Sequence, residues 1–298
     1  MRAAIFRLTT MIGLALSINV HADESYGFFS APPRARTFHV GSLSVTALAD
    51  GKAVLANDGK VFGVGTDPAT LGAMLRASGA PSDRITLNTG GLLVRSGKRL
   101  LLIDTGLGPK VHGNIMASLR ILGIEPAKVT DVLITHSHPD HIGGLLDEQG
   151  HPAFPKATIR MASAEWASMQ KNGAADLVAA IASHVRTFEP GAQIAPGVRS
   201  VDIPGHTPGH MGYEIASGSE RLLDVGDLVH SSIISLMRPD WTLGFDGDAA
   251  AAKATRRSML TQLATEQEWI FAPHFPFPGV GHIVAAGQGF AFVPGVPQ

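Results

Sequence analysis

Residues 135–144 read Thr-His-Ser-His-Pro-Asp-His-Ile-Gly-Gly, and this stretch decides both the fold and the site. It follows an apolar segment, 129–135, that is predicted to be a buried strand. On extended backbone, His136 and His138 point to the same side, because side chains alternate along a strand. Pro139 keeps His138 out of helical space, so both imidazoles are predicted to face one point.

The same turn supplies a third imidazole and a carboxylate. Asp140 and His141 come directly after the proline and are predicted to begin a helix. The alternative is a polar loop that contains several histidines by chance. This pattern of residues arises by chance in about one in a thousand chains of this size. Three imidazoles and one carboxylate in a tight turn therefore predict a pair of metal ions a few ångströms apart.

One turn cannot complete two coordination shells, so more ligands are expected at the ends of other strands. His206, Asp227 and His274 each follow a predicted strand, and the Asp227 carboxylate could bridge both ions. Alone, a strand-end Asp is more often a turn former, and a lone His is more often a structural polar residue. With the turn motif already in place, metal ligation is favoured for all three residues.

Strands and helices interleave along both halves of the chain, with hairpins among them. The segment 54–83 has no strong core pattern apart from one helical stretch. This order predicts an α/β (α+β) fold, an αββα sandwich in which helices flank two mixed sheets. The predicted strands cover 38–48 (ended by the Asp50-Gly51 turn), 86–94, 99–103, 129–135, 157–161, 198–203, 211–216, 221–225 and 269–272, and the predicted helices cover 71–77, 111–122, 164–185 and 249–263.

The composition limits the classes of function. The chain has 298 residues, 45% of them hydrophobic, which is enough for a sizeable core and excludes wholesale disorder. The formal net charge of −1, without a basic stripe, argues against nucleic acid as a partner. Cysteine is absent while 13 histidines are present, so a metal site must use imidazole and carboxylate.

The N-terminus is typical of an export signal. Arg2 and Arg7 precede an apolar run, 11–20, and Val20-His21-Ala22 offers small residues for cleavage. We expect a signal peptide over 1–22 and one hydrolase domain over 23–298, in the periplasm or secreted, although a buried N-terminal helix is the alternative. No later segment is apolar for long enough to anchor the chain in a membrane. The mass of the exported chain tests this expectation.

The motifs resemble those of a known family. Residues 135–144, the Pro-Gly-His-Thr-Pro-Gly-His loop at 204–210, the Gly-Asp at 226–227 and His274 are similar to the ligand motifs of metallo-β-lactamase-fold hydrolases. Within that superfamily, the segments 226–230, 238–240 and 273–282 most resemble methyl parathion hydrolases and related lactonases.

The resemblance implies a dinuclear centre. One ion would take His136, His138 and His206, the other would take Asp140, His141 and His274, and Asp227 would bridge them. The ions are expected to be divalent, with Zn²⁺ first and Mn, Fe or Co also accepted by such ligands. Asp104, in an Ile-Asp-Thr-Gly segment, resembles a supporting residue behind the ligands, and an ordinary turn is an equal alternative.

The resemblance also implies a reaction, in which a hydroxide that bridges the metals attacks a lactone or ester, and acyl-homoserine lactones and phosphotriesters are candidate substrates. Asp140 and His230 are the candidate catalytic residues. Asp140 can ligate and accept a proton, and His230 stands where acyl-homoserine lactonases carry a tyrosine, so it could assist the leaving group. His282 could shuttle protons or be structural. An apolar pocket mouth for a small hydrophobic substrate is expected from Phe275, Phe277, Met237, Trp241, Phe245 and the segment 233–236, with core packing as the alternative for each.

Other functions stay open at this point. A β-lactam hydrolase is the main alternative, although a bridging aspartate argues against it. A di-iron oxidoreductase would use the same ligands, but no flavin-binding domain follows. A non-catalytic metal-binding protein is the third alternative, and a homodimer is one assembly that the sequence leaves open.

Overall fold

The structure is a computed structural model, which describes residues 26–297. The predicted signal peptide, 1–22, lies outside the described residues, so it stays a prediction. Within the described part of the chain, every helix is too short or too polar to cross a membrane.

Two mixed β-sheets form the centre of the fold. The strands are β1 Gly27–Ser30, β2 Ala35–Val40, β3 Leu43–Ala56, β4 Arg84–Ser96, β5 Arg99–Ile103, β6 Asp131–Leu133, β7 Thr158–Ala162, β8 Val185–Phe188, β9 Gln193–Ala195, β10 Val198–Asp202, β11 Met211–Ser217, β12 Glu220–Asp224, β13 Trp269–Phe271, β14 Val280–Ala286 and β15 Gly289–Pro294. The first sheet has the order β1-β3-β4-β5-β6-β7-β8, with β2 paired to β3, and the second runs β15-β14-β13-β12-β11-β10-β9. The pairs β5/β6, β6/β7, β7/β8 and β12/β13 are parallel, and the other pairs are antiparallel.

Helices cover the outer faces of both sheets, which confirms the predicted αββα sandwich. Leu101 of the first sheet and Tyr213 of the second belong to one buried cluster between the sheets. Leu119 belongs to a second cluster outside the first sheet, and Leu260 to a third cluster outside the second sheet. Burial of each such side chain contributes about 1.5–3 kcal/mol. The helices are α1 Pro68–Ala77, α2 Ile115–Ile121, α3 Pro139–Ile142, α4 Ser163–Asn172, α5 Ala175–Ile181, α6 Ile234–Met237 and α7 Ala249–Glu266.

The predicted single strand 38–48 is two strands in the structure, and its ends are also wrong. The segment is a hairpin, because Gly41 has a φ of 55° and turns the chain between β2 and β3. Asp50-Gly51 does not end β3, which continues to Ala56 past an irregularity in register. The Asp50 carboxylate instead accepts the backbone N–H groups of Leu107 and Asn114, so tertiary contacts override its turn propensity.

Other segments also differ from the prediction. The expected helix 164–185 is divided into α4 and α5, and its last residue begins β8. The expected helix 111–122 is a short 3-10 turn followed by α2, because Asp50 caps α2 by accepting the N–H of Ile115. The hairpin β14–β15 was not predicted, although it forms the edge of the second sheet.

The strand order brings the candidate ligands to one edge. His136 follows β6, His206 follows β10, Asp227 follows β12 and His274 follows β13. Because β12 and β13 are parallel, the loops that follow them leave the sheet at the same edge. Ligand sites at the carboxyl ends of strands are common in such folds.

Candidate metal centre

The turn after β6 has the predicted shape. His138 is extended, with φ −71° and ψ 152°, because Pro139 occupies the first turn of α3. His138 Nδ1 lies 3.0 Å from His136 Nε2 and 2.9 Å from His206 Nε2. Three imidazole nitrogens therefore converge on one point.

Asp227 completes this first group of donors. Its ligand-capable atoms and those of His136, His138 and His206 all lie within 4.8 Å of one another. Asp227 Oδ2 is 3.5 Å from His136 Nε2 and 3.3 Å from His206 Nε2. This oxygen faces the three-histidine side of the site.

A second group of donors lies on the other side of Asp227. Asp140, His141 and His274 also offer atoms that are within 4.8 Å of one another. Asp227 Oδ1 is 3.2 Å from His141 Nε2 and 3.0 Å from His274 Nε2, and Asp140 Oδ2 is 3.7 Å from both nitrogens. The two oxygens of Asp227 thus face two different groups, as expected for a residue that bridges two ions.

Buried atoms without hydrogen bonds test whether these residues fit a metal. Among the described residues, His141 Nε2, His274 Nε2 and Asp227 Oδ1 are buried and make no hydrogen bond. Buried polar atoms are normally paired, so three such atoms directed at one point need a partner. The donor set fits a divalent ion of the kind that imidazole and carboxylate bind.

His230 lies in direct contact with two of the candidate ligands, Asp227 and His274. Its Nε2 is 2.9 Å from Asp227 Oδ2, and its ring stacks on His274 with centroids 5.1 Å apart. His230 also forms a third ligand-capable group with Asp227 and His274. Both of its ring nitrogens are buried and without a hydrogen bond.

Contacts behind the ligands fix the orientation of their rings. His141 Nδ1 lies 2.7 Å from Asp104 Oδ2, which gives Asp104 the supporting position that the resemblance implied. His274 Nδ1 lies 2.7 Å from the carbonyl oxygen of Asn88. In both rings an acceptor at Nδ1 leaves Nε2 free to face the centre, as is typical of metal-binding histidines.

Glu165 is a supporting residue that sequence reasoning missed. It is fully buried in the first turn of α4 and accepts hydrogen bonds from Ser137 N–H and Oγ. Its other oxygen accepts from Thr207 Oγ1 and from the N–H of Gly209. One carboxylate therefore joins the two loops that carry His136 and His206.

His210 holds the loop that carries Asp227. Its Nδ1 donates to the carbonyl of Ile203, at 2.9 Å, and its Nε2 accepts the N–H of Asp227, at 3.0 Å. Gly226 is required between them, because its φ is 47° and a Cβ there would lie 2.5 Å from His210 Nε2. The sequence indicated the loop of His210 but not this contact.

The charges in the site favour a cation. Burial raises the pKa of Asp227, but the imidazoles of His274 and His141 outweigh it and hold that pKa well below its usual range. Burial lowers the pKa of His206, but hydrogen bonds to Asp227 and Asp246 raise it to about 9. A ligand imidazole must be neutral, so binding of an ion would release protons from this cluster.

The predicted pocket wall is present only in part. Phe245 is 38% exposed, and its ring centroid lies 5.8 Å from that of His230. The prediction that Phe275 lines the pocket is wrong, because this residue is 1% exposed and packs in the core outside the second sheet. Phe277 packs against the core between the sheets, and Met237 accepts a hydrogen bond from Ser78.

His282 does not belong to the site. It pairs with Trp269, at the start of β13, whereas His274 follows the end of that strand. Its ring lies 3.8 Å from that of Trp269, and its Nδ1 lies 3.2 Å from the carbonyl of Glu268. The structural alternative for His282 is therefore correct, and a proton shuttle is excluded by position.

Comparison with protein families gives a match over most of the site. The sequence model of the Metallo-beta-lactamase superfamily matches residues 91–274. Metallo-beta-lactamase domain-containing protein 1 of Xenopus laevis is 31% identical over 127 residues, which are 43% of this chain and 46% of that protein. Atrochrysone carboxyl ACP thioesterase of Aspergillus chevalieri is 31% identical over 152 residues, 51% of this chain and 44% of that protein. The chain thus spans less than half the length of these curated relatives.

Solved structures resemble almost the whole chain. The dizinc quorum-quenching lactonase AidC, in complex with an N-hexanoyl-L-homoserine product, has a TM-score of 0.83 and 28% identity, and the match covers 89% of this chain and 99% of that one. The hydrolase AbOPH of the beta lactamase superfamily has a TM-score of 0.79 and 28% identity, over 90% and 98% of the two chains. A quorum-quenching N-acyl homoserine lactone lactonase, 18% identical with a TM-score of 0.58, shares the fold.

Proposed function

This chain belongs to the metallo-β-lactamase superfamily, and from that premise we propose that it is a dinuclear metal-dependent hydrolase of lactones and esters. The observation that carries the proposal is the position of the Asp227 carboxylate, whose two oxygens face two separate groups of donors. We assign His136, His138 and His206 to one ion and Asp140, His141 and His274 to the other. Two divalent ions, with Zn²⁺ as the first choice, fit these ligands.

In this proposal, residues of this chain bind and orient the substrate, and one of them accepts a proton. The chemistry that two divalent ions would supply here is a water of lowered pKa and polarisation of the oxygen of the electrophile. Asp140 is partly exposed, unlike Asp227, so it is the carboxylate that can accept the proton of the attacking water. His230 lies beside Asp227, and we assign to it the donation of a hydrogen bond to the leaving oxygen.

The substrate class follows from the surroundings of the site. Phe245 offers an apolar surface beside His230, which suits an uncharged substrate with a hydrophobic part. The likeness to AidC supports a lactone, and the likeness to a thioesterase supports a carbonyl electrophile in general. Acyl-homoserine lactones are thus our first candidates. Phosphotriesters, which the resemblance to methyl parathion hydrolases suggested, are a proposed side activity.

A panel of substrates tests this proposal. Protein loaded with Zn²⁺ would be assayed on N-hexanoyl-homoserine lactone, an aryl ester, an acyl thioester, a dialkyl aryl phosphotriester and nitrocefin. We expect kcat/KM for the lactone or the aryl ester to exceed that for nitrocefin by at least about 10²-fold. Chelation should abolish the activity, and added Zn²⁺ should restore it. Fastest turnover of nitrocefin would favour the β-lactam hydrolase instead, and oxygen consumption by iron-loaded protein would favour the oxidoreductase.

The exposed Phe245 ring should matter for substrates with a long acyl chain. Phe245→Ala removes an apolar contact of roughly 1–1.5 kcal/mol, which corresponds to about a 5- to 12-fold rise in KM for the hexanoyl lactone. The value of kcat should be retained, because the contact is made equally in the ground state and the transition state. Ile121→Ala, at the exposed end of α2, is the control and should leave KM unchanged. Steady-state kinetics with lactones of increasing acyl chain length test this prediction. An equal KM in both variants contradicts an acyl contact at Phe245.

A further inference from the structure

Arg256 is a buried cation that the sequence did not single out. It lies in the middle of α7 and is 3% exposed. Its guanidinium donates to Asp246 Oδ2 at 2.7 Å and to the carbonyl of Leu228 at 2.9 Å. It also donates to the carbonyls of Pro239 and Trp241, at 3.3 and 3.4 Å. A buried charge with four acceptors has a specific structural task.

Asp246 connects this guanidinium to a candidate ligand. Its second oxygen, Oδ1, lies 3.0 Å from His206 Nδ1, while His206 Nε2 faces the centre. The backbone N–H of Gly247 also donates to the carbonyl of His206, at 2.9 Å. The orientation of the His206 ring therefore depends on where the Asp246 carboxylate is held.

The other acceptors of Arg256 belong to two further parts of the site. Leu228 directly follows Asp227, and the carbonyls of Pro239 and Trp241 belong to the loop 238–248, which carries Phe245. A planar guanidinium can donate in several fixed directions at once, whereas an ammonium group cannot reproduce that geometry.

We propose that Arg256 is a positioning residue, which orients His206 through Asp246 and holds the Phe245 loop against the Asp227 segment. One side chain thereby couples the affinity of the three-histidine group for its ion to the position of the apolar wall. This inference rests on the proposed metal centre but not on the identity of the substrate.

Metal titration of the apo-protein tests the first half of this proposal. Arg256→Lys keeps the positive charge but loses the planar guanidinium that donates in several directions. Asp246→Asn keeps the shape of the side chain but loses its negative charge. For both variants we expect one ion to bind about 10- to 100-fold more weakly, with the other ion retained and an altered absorption spectrum of the Co²⁺-loaded protein. Arg99→Lys is the matched control, because Arg99 pairs with Asp131 at the far end of β5 and β6. It should lower the Tm but bind both ions as the wild type does.

The outcomes separate the inference from the proposed function. Wild-type affinity for both ions in Arg256→Lys and Asp246→Asn would overturn the role of Arg256, while a wild type that binds no ion would overturn the metal centre itself. If Arg256→Lys does not fold, the nearly isosteric Asp246→Asn decides. The second half predicts that KM for the hexanoyl lactone rises at least 3-fold more in Arg256→Lys than in Asp246→Asn. Equal KM values in these two variants would overturn the coupling to the loop.

Discussion

Asp227→Ala should lower the metal content from about two ions per chain to one or none, and should lower kcat/KM by at least about 10³-fold. Each of the two oxygens of Asp227 faces one donor group, and together they lie 3.0–3.5 Å from four imidazole nitrogens of these groups. Without it, each group would keep three donors, but no carboxylate would link the two groups. Elemental analysis after dialysis gives the stoichiometry, and kinetics at saturating metal give the activity.

Two further variants separate this effect from a general loss of folding. Asp227→Asn keeps the size of the side chain but lacks the negative charge that offsets two ions, so it should retain more metal than Asp227→Ala and still lose most activity. Asp83→Ala removes an exposed carboxylate that pairs with Arg84, outside the site, and it should match the wild type in both measurements. Two ions in the dialysed Asp227→Ala protein would remove the bridging assignment.

The fold and the candidate ligands could be predicted because their signals are local. The turn at 135–144 combines a buried strand, a proline and the donors within ten residues, and the structure brings all of its donors together with His206, Asp227 and His274. The sandwich and the superfamily are confirmed. The branch of the superfamily, the metal and the role of each ligand stay predictions.

The supporting contacts could not be predicted, because they join residues that are far apart in sequence. Glu165 reaches loops at 137 and 207–209, and Asp246 reaches His206. The partner of His274 is the carbonyl of Asn88, and a backbone carbonyl has no signal in the sequence. For the same reason the sequence predicts a turn at Asp50, although the backbone N–H of Leu107 that donates to its carboxylate lies in a loop nearly sixty residues later.

His230→Ala should lower kcat by about 10- to 100-fold for alkyl lactones and by less for aryl esters. An alkoxide is a poor leaving group and gains most from a hydrogen bond, whereas a phenolate leaves without help. His230 is suited to this task, because both of its ring nitrogens are buried without a hydrogen bond and Nε2 lies 2.9 Å from Asp227. Steady-state kinetics on matched alkyl and aryl substrates give the two losses, and elemental analysis gives the metal content.

The position of His230 also defines what would contradict this role. If His230 is instead a ligand, as its grouping with Asp227 and His274 allows, the variant loses metal as well as activity on both substrates. If it only orients Asp227, both substrates slow by the same modest factor and the metal content is retained. His230→Gln can still donate a hydrogen bond, so it should recover part of the lactone activity only when donation to the leaving oxygen is the role. A larger loss on the lactone, a full metal content and partial recovery by glutamine together support leaving-group assistance, because a metal ligand or a packing residue would not produce all three.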